Sequence, residues 1–487
     1  MDTERNDIVP AGWRRFFRWL VYMPLLAVRW DLDTDIWFLL NGGRYVLAHG
    51  IPHTEPFTLH EGMHFVMQQW AAGVVFWTVY RTAGRIGLIL LVLAVFAAIL
   101  TVLWKLCMLV SGNPPVSFAC TLLPSAVLSL YMVTRPQIFS ALLLALELYA
   151  LEQYFASGRR RWLCLLPALS VLLVNLHASM WPMLFVLLLP YWLDSVPFRL
   201  GRLQGQGCGR GALAAATAAA AAAGLLNPYG FEGMTYLLRS YGHPEISLLV
   251  NEMEPTTVTS FIGCLLFAVL LAAAAVLCLH RGVMRLRWLL LLLGTAFLML
   301  SSLRSGVFFL LCVPFCLAGY LRDVRPVQTA PAAPRRQRLR RVLAGALCAA
   351  LAALGVLQAT NAPTTPAAAD AAAWLLANSD PAQVRLFVGY NDGAYLEYLG
   401  FRCYIDARAE VFVRENNGVG DIMEEYVHLR RGQLDTAAFL QKYAFTHLLV
   451  TQQEALYYQL PAMPEYQKVY EDDYCALYVR TAAEETK

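Results

Sequence analysis

Asp31, Asp33 and Asp35 stand at alternate positions directly after the first apolar run of the chain. Three carboxylates beside a bilayer are costly unless they are well solvated or bind something. They suit oxygen ligation of a divalent cation such as Mg or Mn, and one of them suits the role of general base toward an acceptor hydroxyl. An acidic loop that merely marks the non-cytoplasmic end of a helix has the same pattern. The loop runs on through Trp37, Phe38, Gly42, Gly43, Pro52 and Pro56, a composition that describes a structured surface. Arg304 lies between two apolar runs, where a lipid phosphate is a natural partner through charge-assisted bonds and snorkelling to headgroups is the alternative. Arg135, beside Pro136, has the same two readings. His177, in a break that also holds Asn175, suits phosphate or substrate contact, or a satisfied structural role. Glu252 and Glu254 join Asp31 as candidates for acceptor or metal binding. Asn227-Pro228-Tyr229-Gly230 is a helix stop for backbone reasons, and Asp406 and Arg408 fall on one face after a strand, as an internal ion pair would.

The elements that must position these residues are membrane spans. Of 487 residues, 58% are hydrophobic and only 15% charged, against about 25% charged in soluble domains. Apolar runs lie at about 17–30, 86–110, 116–134, 137–156, 162–176, 180–195, 212–226, 257–279, 288–303, 305–321 and 342–358, eleven in all. Arginines cluster at 14–18, 159–161, 199–210, 281–287 and 335–341, and short basic loops stay in the cytoplasm. That places the N-terminus inside, the C-terminal residues outside, and the first run as a retained span. Residues 66–82 are apolar enough to cross, but a crossing there would put one arginine cluster on the wrong side, so they read as a surface helix. The net charge of +4 is too small and too confined to loops for nucleic-acid binding.

Residues 1–358 thus form the transmembrane module, with a first outer loop at 31–65; 359–373 form a linker and 374–487 an outer domain. In that domain short β-like runs (384–389, 401–405, 446–450 and 475–479) alternate with helical stretches, which predicts a small α/β fold. Most of the eleven cysteines lie in apolar runs as small hydrophobes. Only Cys403 and Cys475 fall in the outer domain, where a disulfide in an oxidising compartment and two free thiols are both open.

The run from Asp33 through Trp37, Asn41-Gly42-Gly43-Arg44-Tyr45 and His49-Gly50-Ile51-Pro52-His53 to Thr58 resembles the first outer loop of bacterial GT-C glycosyltransferases, the superfamily of the protein O-mannosyltransferases and aminoarabinose transferases. The likeness continues through Thr134-Arg135-Pro136-Gln137, Asn175-Leu176-His177-Ala178-Ser179 and Asn227-Pro228-Tyr229-Gly230. It extends to Asn251-Glu252-Met253-Glu254-Pro255, Ser302-Leu303-Arg304-Ser305, Tyr390 to Leu396, and Tyr404-Ile405-Asp406-Ala407-Arg408. Each motif is weak alone; their order is more specific. The resemblance implies a GT-C-like polytopic α-helical membrane protein of about eleven helices with a small extracytoplasmic α/β domain, in the cytoplasmic membrane of a bacterium. It implies transfer from a polyprenyl-phosphate-linked sugar donor to a glycan, lipid or protein acceptor outside, with Asp33 or Asp35 as catalytic base. Arg304, Arg135, His177 and Arg44 are then the candidates for the donor phosphate. Relatives often read W-W-H-L-A-T-G-R where this chain has Trp37-Phe38-Leu39-Leu40-Asn41-Gly42-Gly43-Arg44, so a metal or donor role of that His is absent or moved. A flippase of lipid-linked glycans and a non-catalytic assembly protein are the competing readings.

Overall fold

The computed structural model describes residues 17–240, 243–249, 251–324 and 365–481, with Ala349 and Ala353. The expected span at 342–358, the basic run at 335–341 and most of the linker lie outside the described residues. The chain divides into two compact units. The first comprises Met1–Asp31, Ile86–Gly230 and Asn251–Ala362; the second comprises Leu32–Arg85, Phe231–Val250 and Pro363–Lys487.

The first unit is helical and belongs to a multi-pass membrane protein. Among the described residues, five helices of the chain are long and apolar enough to cross a bilayer: Trp70–Ser111, Pro114–Tyr131, Gln137–Ser157, Phe261–Leu279 and Leu303–Tyr320. Three apolar helices, Phe17–Ala27, Ala178–Asp194 and Leu286–Ser301, are shorter than the ~20 residues of a straight crossing. Leu165–Leu176 and Arg210–Ala223 are likewise short. Among the described residues, five of the expected eleven spans are thus full-length helices. The expected first span is reduced around Pro24 to a 3₁₀ turn, Met23–Ala27. Proline also sits inside helices at Pro124, Pro190 and Pro314; neighbouring helices can satisfy the backbone groups it frees. The longest helix is interrupted at Gly84, whose φ of 58° and ψ of −153° only glycine adopts cheaply. The break separates the stretch read as a surface helix from the one read as a span.

Sharp breaks also fall at His177 and Ser302, both outside helical conformation and Ser302 extended. On the opposite loops, β1 (Phe198–Leu200), β2 (Leu203–Gly205) and β3 (Met284–Arg285) make a small sheet in the order β1-β2-β3. Arg287, expected to be a solvated topology marker, is buried here. Its Nε and Nη2 donate to the two oxygens of Glu152 (2.8 and 3.0 Å), and its Nη1 donates to Asp194 (2.6 Å) and Gln206 (2.8 Å). Tyr191 and Trp288 also donate to Glu152, so the charge is fully hydrogen-bonded.

The second unit is built from segments far apart in sequence. Helix Ile36–His49 crosses the start of the Trp70–Ser111 helix so closely that a Cβ on Gly43 would lie 2.1 Å from the Gly73 carbonyl oxygen. The C-terminal part contributes β4 (Arg385–Phe387), β5 (Arg402–Cys403), β6 (His447–Thr451), β7 (Tyr466–Glu471) and β8 (Cys475–Arg480). Their order is β5-β4-β6-β8-β7, with β5, β4 and β6 parallel and the remaining pairs antiparallel. Leu386, Val388, Leu396, Leu449 and Leu477 pack with Ala371 and Leu375 of the Ala369–Asn378 helix as its core. Strand β7 was not expected; its largely exposed, charged sequence suits an edge. The first outer loop extends the opposite edge, through the Thr58–Cys403 bridge and a Leu59 N–H to Cys403 carbonyl bond of 3.0 Å. Cys403 and Cys475 are free, buried thiols. They lie three strand spacings apart, roughly 14 Å, beyond disulfide reach.

Removing Arg287 alone should strand two buried carboxylates. Arg287→Met is expected to lower stability by about 3–5 kcal/mol, read by thermal unfolding in detergent. Combining it with Glu152→Gln and Asp194→Asn should recover much of that loss.

Candidate functional site

In the second unit, Asp33 and Asp35 precede the Ile36–His49 helix. The Asp35 N–H donates to Asp33 Oδ1 (3.0 Å) and the Ile36 N–H to the Asp33 carbonyl (3.1 Å), a turn that starts the helix. The Asp35 charge reaches Tyr390, whose hydroxyl donates to the Ala407 carbonyl (2.8 Å). Burial first, and then that charge, push the Tyr390 phenol well above its usual range. Trp37, two residues after Asp35, packs on Tyr395 and Tyr398 with ring centroids 4.9 and 5.1 Å apart, and on Tyr80 at 6.3 Å. Arg44 closes this aromatic wall. Its Nη2 donates to Asn41 Oδ1 (2.8 Å) and the Tyr398 carbonyl (3.0 Å), and its guanidinium lies 5.0 Å from the Tyr398 ring centroid. Its Nε and Nη1 have no protein acceptor among the described residues and remain available to an anion.

The wall is held by Arg408. The predicted pair with Asp406 is present, Nε lying 3.0 and 2.9 Å from the two carboxylate oxygens. Glu55 of the first outer loop (2.9 Å) and Glu397 (3.4 Å) share the same guanidinium. Both partners escape a sequence reading because they are remote or look like ordinary surface acids. Burial, followed by the Asp406 charge, drives the Glu397 carboxyl well above the usual carboxylate range. Glu55 also accepts from the Phe57 and Thr58 N–H groups and from the Thr58 hydroxyl. That shapes the turn which carries the loop onto the sheet.

In the first unit, Arg135 Nη1 lies 2.9 Å from Glu252 Oε2, so two sequence candidates form an ion pair. The Ser302 hydroxyl donates to the Glu252 carbonyl (3.1 Å) and the Leu303 N–H to the Glu254 carbonyl (3.0 Å). These bonds fix the turn Leu303–Ser305 that carries Arg304. His177 is buried, 2.7 Å from the Ser140 hydroxyl through Nδ1, and within electrostatic reach of Arg304. Arg135, Glu252, Arg304 and His177 therefore gather in this unit. Glu254 contributes its backbone and keeps its side chain exposed. Asp31 is bound by Arg29, whose Nε donates to Oδ1 (3.0 Å) and whose Nη2 meets Oδ2. That contact is a surface ion pair between neighbours in sequence.

A further donor set, not read from the sequence, lies in the second unit. His243, Glu415 and Asp421 each offer a ligand atom, all within 4.8 Å of one another, and His243 Nε2 is 3.3 Å from Glu415 Oε2. One imidazole and two carboxylates suit zinc or manganese. The three residues are too widely separated in sequence to form a spacing motif.

Behind Tyr390 lie two buried acids. The Tyr426 hydroxyl accepts from the Tyr390 N–H (3.1 Å) and donates to Glu454 (3.2 Å), and Asp392 accepts from the Tyr474 hydroxyl (2.8 Å). Burial pushes Asp392 up to about 6 and Glu454 up to about 7. The folded unit holds these protons more tightly than the unfolded chain, so it loses stability as pH rises from about 4 through 7. The loss is on the order of 3 kcal/mol per carboxyl. Replacing both (Asp392→Asn, Glu454→Gln) should flatten the dependence of thermal unfolding on pH between 5 and 8 relative to the unaltered protein.

No protein-family model matches the sequence, and no curated protein matches it. Solved structures do. ArnT from Cupriavidus metallidurans bound to undecaprenyl phosphate is 15% identical, with a TM-score of 0.57 over 98% of this chain and 99% of its own. The mycobacterial arabinofuranosyltransferase AftD is 16% identical, with a TM-score of 0.54 over 99% of this chain and 42% of that one. The oligosaccharyltransferase AglB from Archaeoglobus fulgidus, in complex with an inhibitory peptide and a dolichol-phosphate, is 11% identical, with a TM-score of 0.56 over 96% and 74%. At these identities the likeness speaks to architecture, and the architecture extends over nearly the whole chain: its fold is similar to that of ArnT, AftD and AglB.

Proposed function

We propose that this chain is an inverting glycosyltransferase that takes a sugar from a polyprenyl-phosphate carrier on the outer face of a bacterial cytoplasmic membrane. The observation that carries the reading is the Asp33–Asp35 pair at the start of a helix beside an aromatic wall, in a chain matched almost end to end by ArnT solved with undecaprenyl phosphate. The acceptor oxygen attacks the anomeric carbon, the sugar–phosphate bond breaks, and the polyprenyl phosphate leaves as an anion. Asp33 or Asp35 takes the acceptor hydroxyl proton. Arg304, Arg135, His177 and Arg44 are the proposed partners of the phosphate charge.

A metal has two candidate donor sets on this reading. Glu252 and Glu254 follow from the sequence, but Glu252 is already engaged by Arg135. His243, Glu415 and Asp421 converge without such a commitment from a cation other than His243 itself. Topology follows the arginines: N-terminus inside, residues 374–487 outside, and the shorter apolar helices crossing where the bilayer thins locally, to make the expected eleven.

Asp33→Asn and Asp35→Asn should be assayed separately for transfer from labelled undecaprenyl-phosphate sugars. At least one is expected to lose about 10²–10⁴-fold in turnover with an unchanged unfolding temperature. Full activity in both would remove the aspartate base from the mechanism.

A further inference from the structure

A cavity of about 600 Å³ opens in the second unit, away from the Asp33–Asp35 turn. Leu59, His60 and Glu61 of the first outer loop form one side, and Val419 to Ile422 another. Arg385, Glu425, Lys442 and Tyr443 complete it. At about 30 Å³ per water such a space holds roughly 20 waters, and it falls in the range of small-molecule sites.

Its polar groups are held in place from behind. Glu425 accepts from the hydroxyls of Tyr404 (3.0 Å) and Tyr443 (2.5 Å) and from Lys442 (2.6 Å). Arg385 Nε donates to the Tyr443 carbonyl (2.9 Å), which leaves both of its Nη groups without a protein acceptor among the described residues. His60 Nε2 lies 2.7 Å from the Tyr404 carbonyl. A carbonyl only accepts, so that nitrogen carries the proton and donates. Glu61 is exposed and makes no ion pair among the described residues.

The lining selects by chemistry. Glu61 and Glu425 oppose a polyphosphate, Asp421 being turned to the His243–Glu415 donor set, and the density of charge opposes an acyl chain. Two cations among those carboxylates leave little net field for a strongly basic ligand. What remains is a molecule that carries many hydroxyl donors and oxygen acceptors without net charge. Displacing ordered water costs affinity unless its hydrogen bonds are reproduced, and a saccharide reproduces them in number.

We propose that this cavity binds a neutral saccharide, the docking portion of the acceptor glycan; only the word acceptor rests on the glycosyl-transfer reading. Binding is measured with the full-length protein in a zwitterionic detergent that has no sugar headgroup. The probe is an array of neutral hexose, pentose and N-acetylhexosamine oligosaccharides, with pentalysine as competitor. The unaltered protein should bind at least one neutral glycan. Glu61→Ala with Arg385→Ala should weaken that binding at least tenfold, and so should Val419→Trp, which fills the cavity from an exposed position; unfolding temperatures should match throughout. Asp33→Asn and Asp35→Asn should bind the array normally, so failure of transfer and failure of docking are separable. The proposal is overturned if no neutral glycan binds, if binding survives both cavity variants, or if pentalysine occupies the cavity in preference to the glycans.

Discussion

One guanidinium, that of Arg408, is shared by carboxylates up to 353 residues away along the chain. Arg408, Asp406, Glu397 and Glu55 are all buried, so water does not solvate these charges. Removing ions from water costs several kcal/mol each, and attraction offsets this only when geometry is good and the remaining lone pairs are satisfied. The planar fork of arginine meets that condition, since it presents donors in several directions at once. Glu55 meets it too, by taking N–H and hydroxyl donors from its own turn. Glu397 escapes the cost differently: burial and the neighbouring Asp406 favour its neutral form. The cluster makes the fold of the first outer loop conditional on the C-terminal sheet, because Glu55 would otherwise be a buried anion without a counter-charge.

The first unit solves a related problem around Arg287. There too a single arginine joins carboxylates from separate helices, and aromatic donors complete the shell. In both places an apolar replacement of the whole cluster would pack at no great loss, whereas loss of one member would not. Such clusters contribute less to net stability than to register. Each admits one relative placement of the segments that carry its members, and so fixes helices and loops that apolar contacts alone would let slide.

Much of this was legible in advance, and the boundary is a physical one. Apolar runs announce helices because lipid demands that every backbone group be satisfied within the segment. Breaks at His177 and around Arg304 were visible as polar interruptions. The Asp406–Arg408 pair was legible because the two residues stand two positions apart. Glu55 was not, since nothing local distinguishes an acid that will be buried by a distant strand from one that stays in water. His243, Glu415 and Asp421 were hidden for the same reason. Whether Cys403 and Cys475 pair was open in the sequence, because strand order, which composition does not encode, puts β4 and β6 between Cys403 and Cys475 on β8. Several apolar runs were legible as shorter than a straight crossing, and the helices at Trp181–Asp194 and Leu286–Ser301 have that length.

The two aspartates most concerned with chemistry are not equivalent in this frame. Asp33 spends an oxygen on the N–H of Asp35, which sets the first turn of the Ile36–His49 helix. An asparagine there keeps a carbonyl oxygen for that bond and loses only the charge. Asp35 stands at the helix N-terminus itself, where the macrodipole favours an anion, and its charge is felt by the buried Tyr390 phenol. Tyr390 is bonded in turn to Ala407 and, through Tyr426, to Glu454. The charge of Asp35 is thus registered by the interior of the sheet domain, whereas that of Asp33 is coupled to the backbone of its own turn. Neutralising Asp35 leaves the Tyr390 phenol neutral, since burial alone favours that form, and neutralising Asp33 leaves the helix start in place. A change confined to proton acceptance can therefore be separated from a change in fold at Asp33, because asparagine keeps the acceptor that starts the helix.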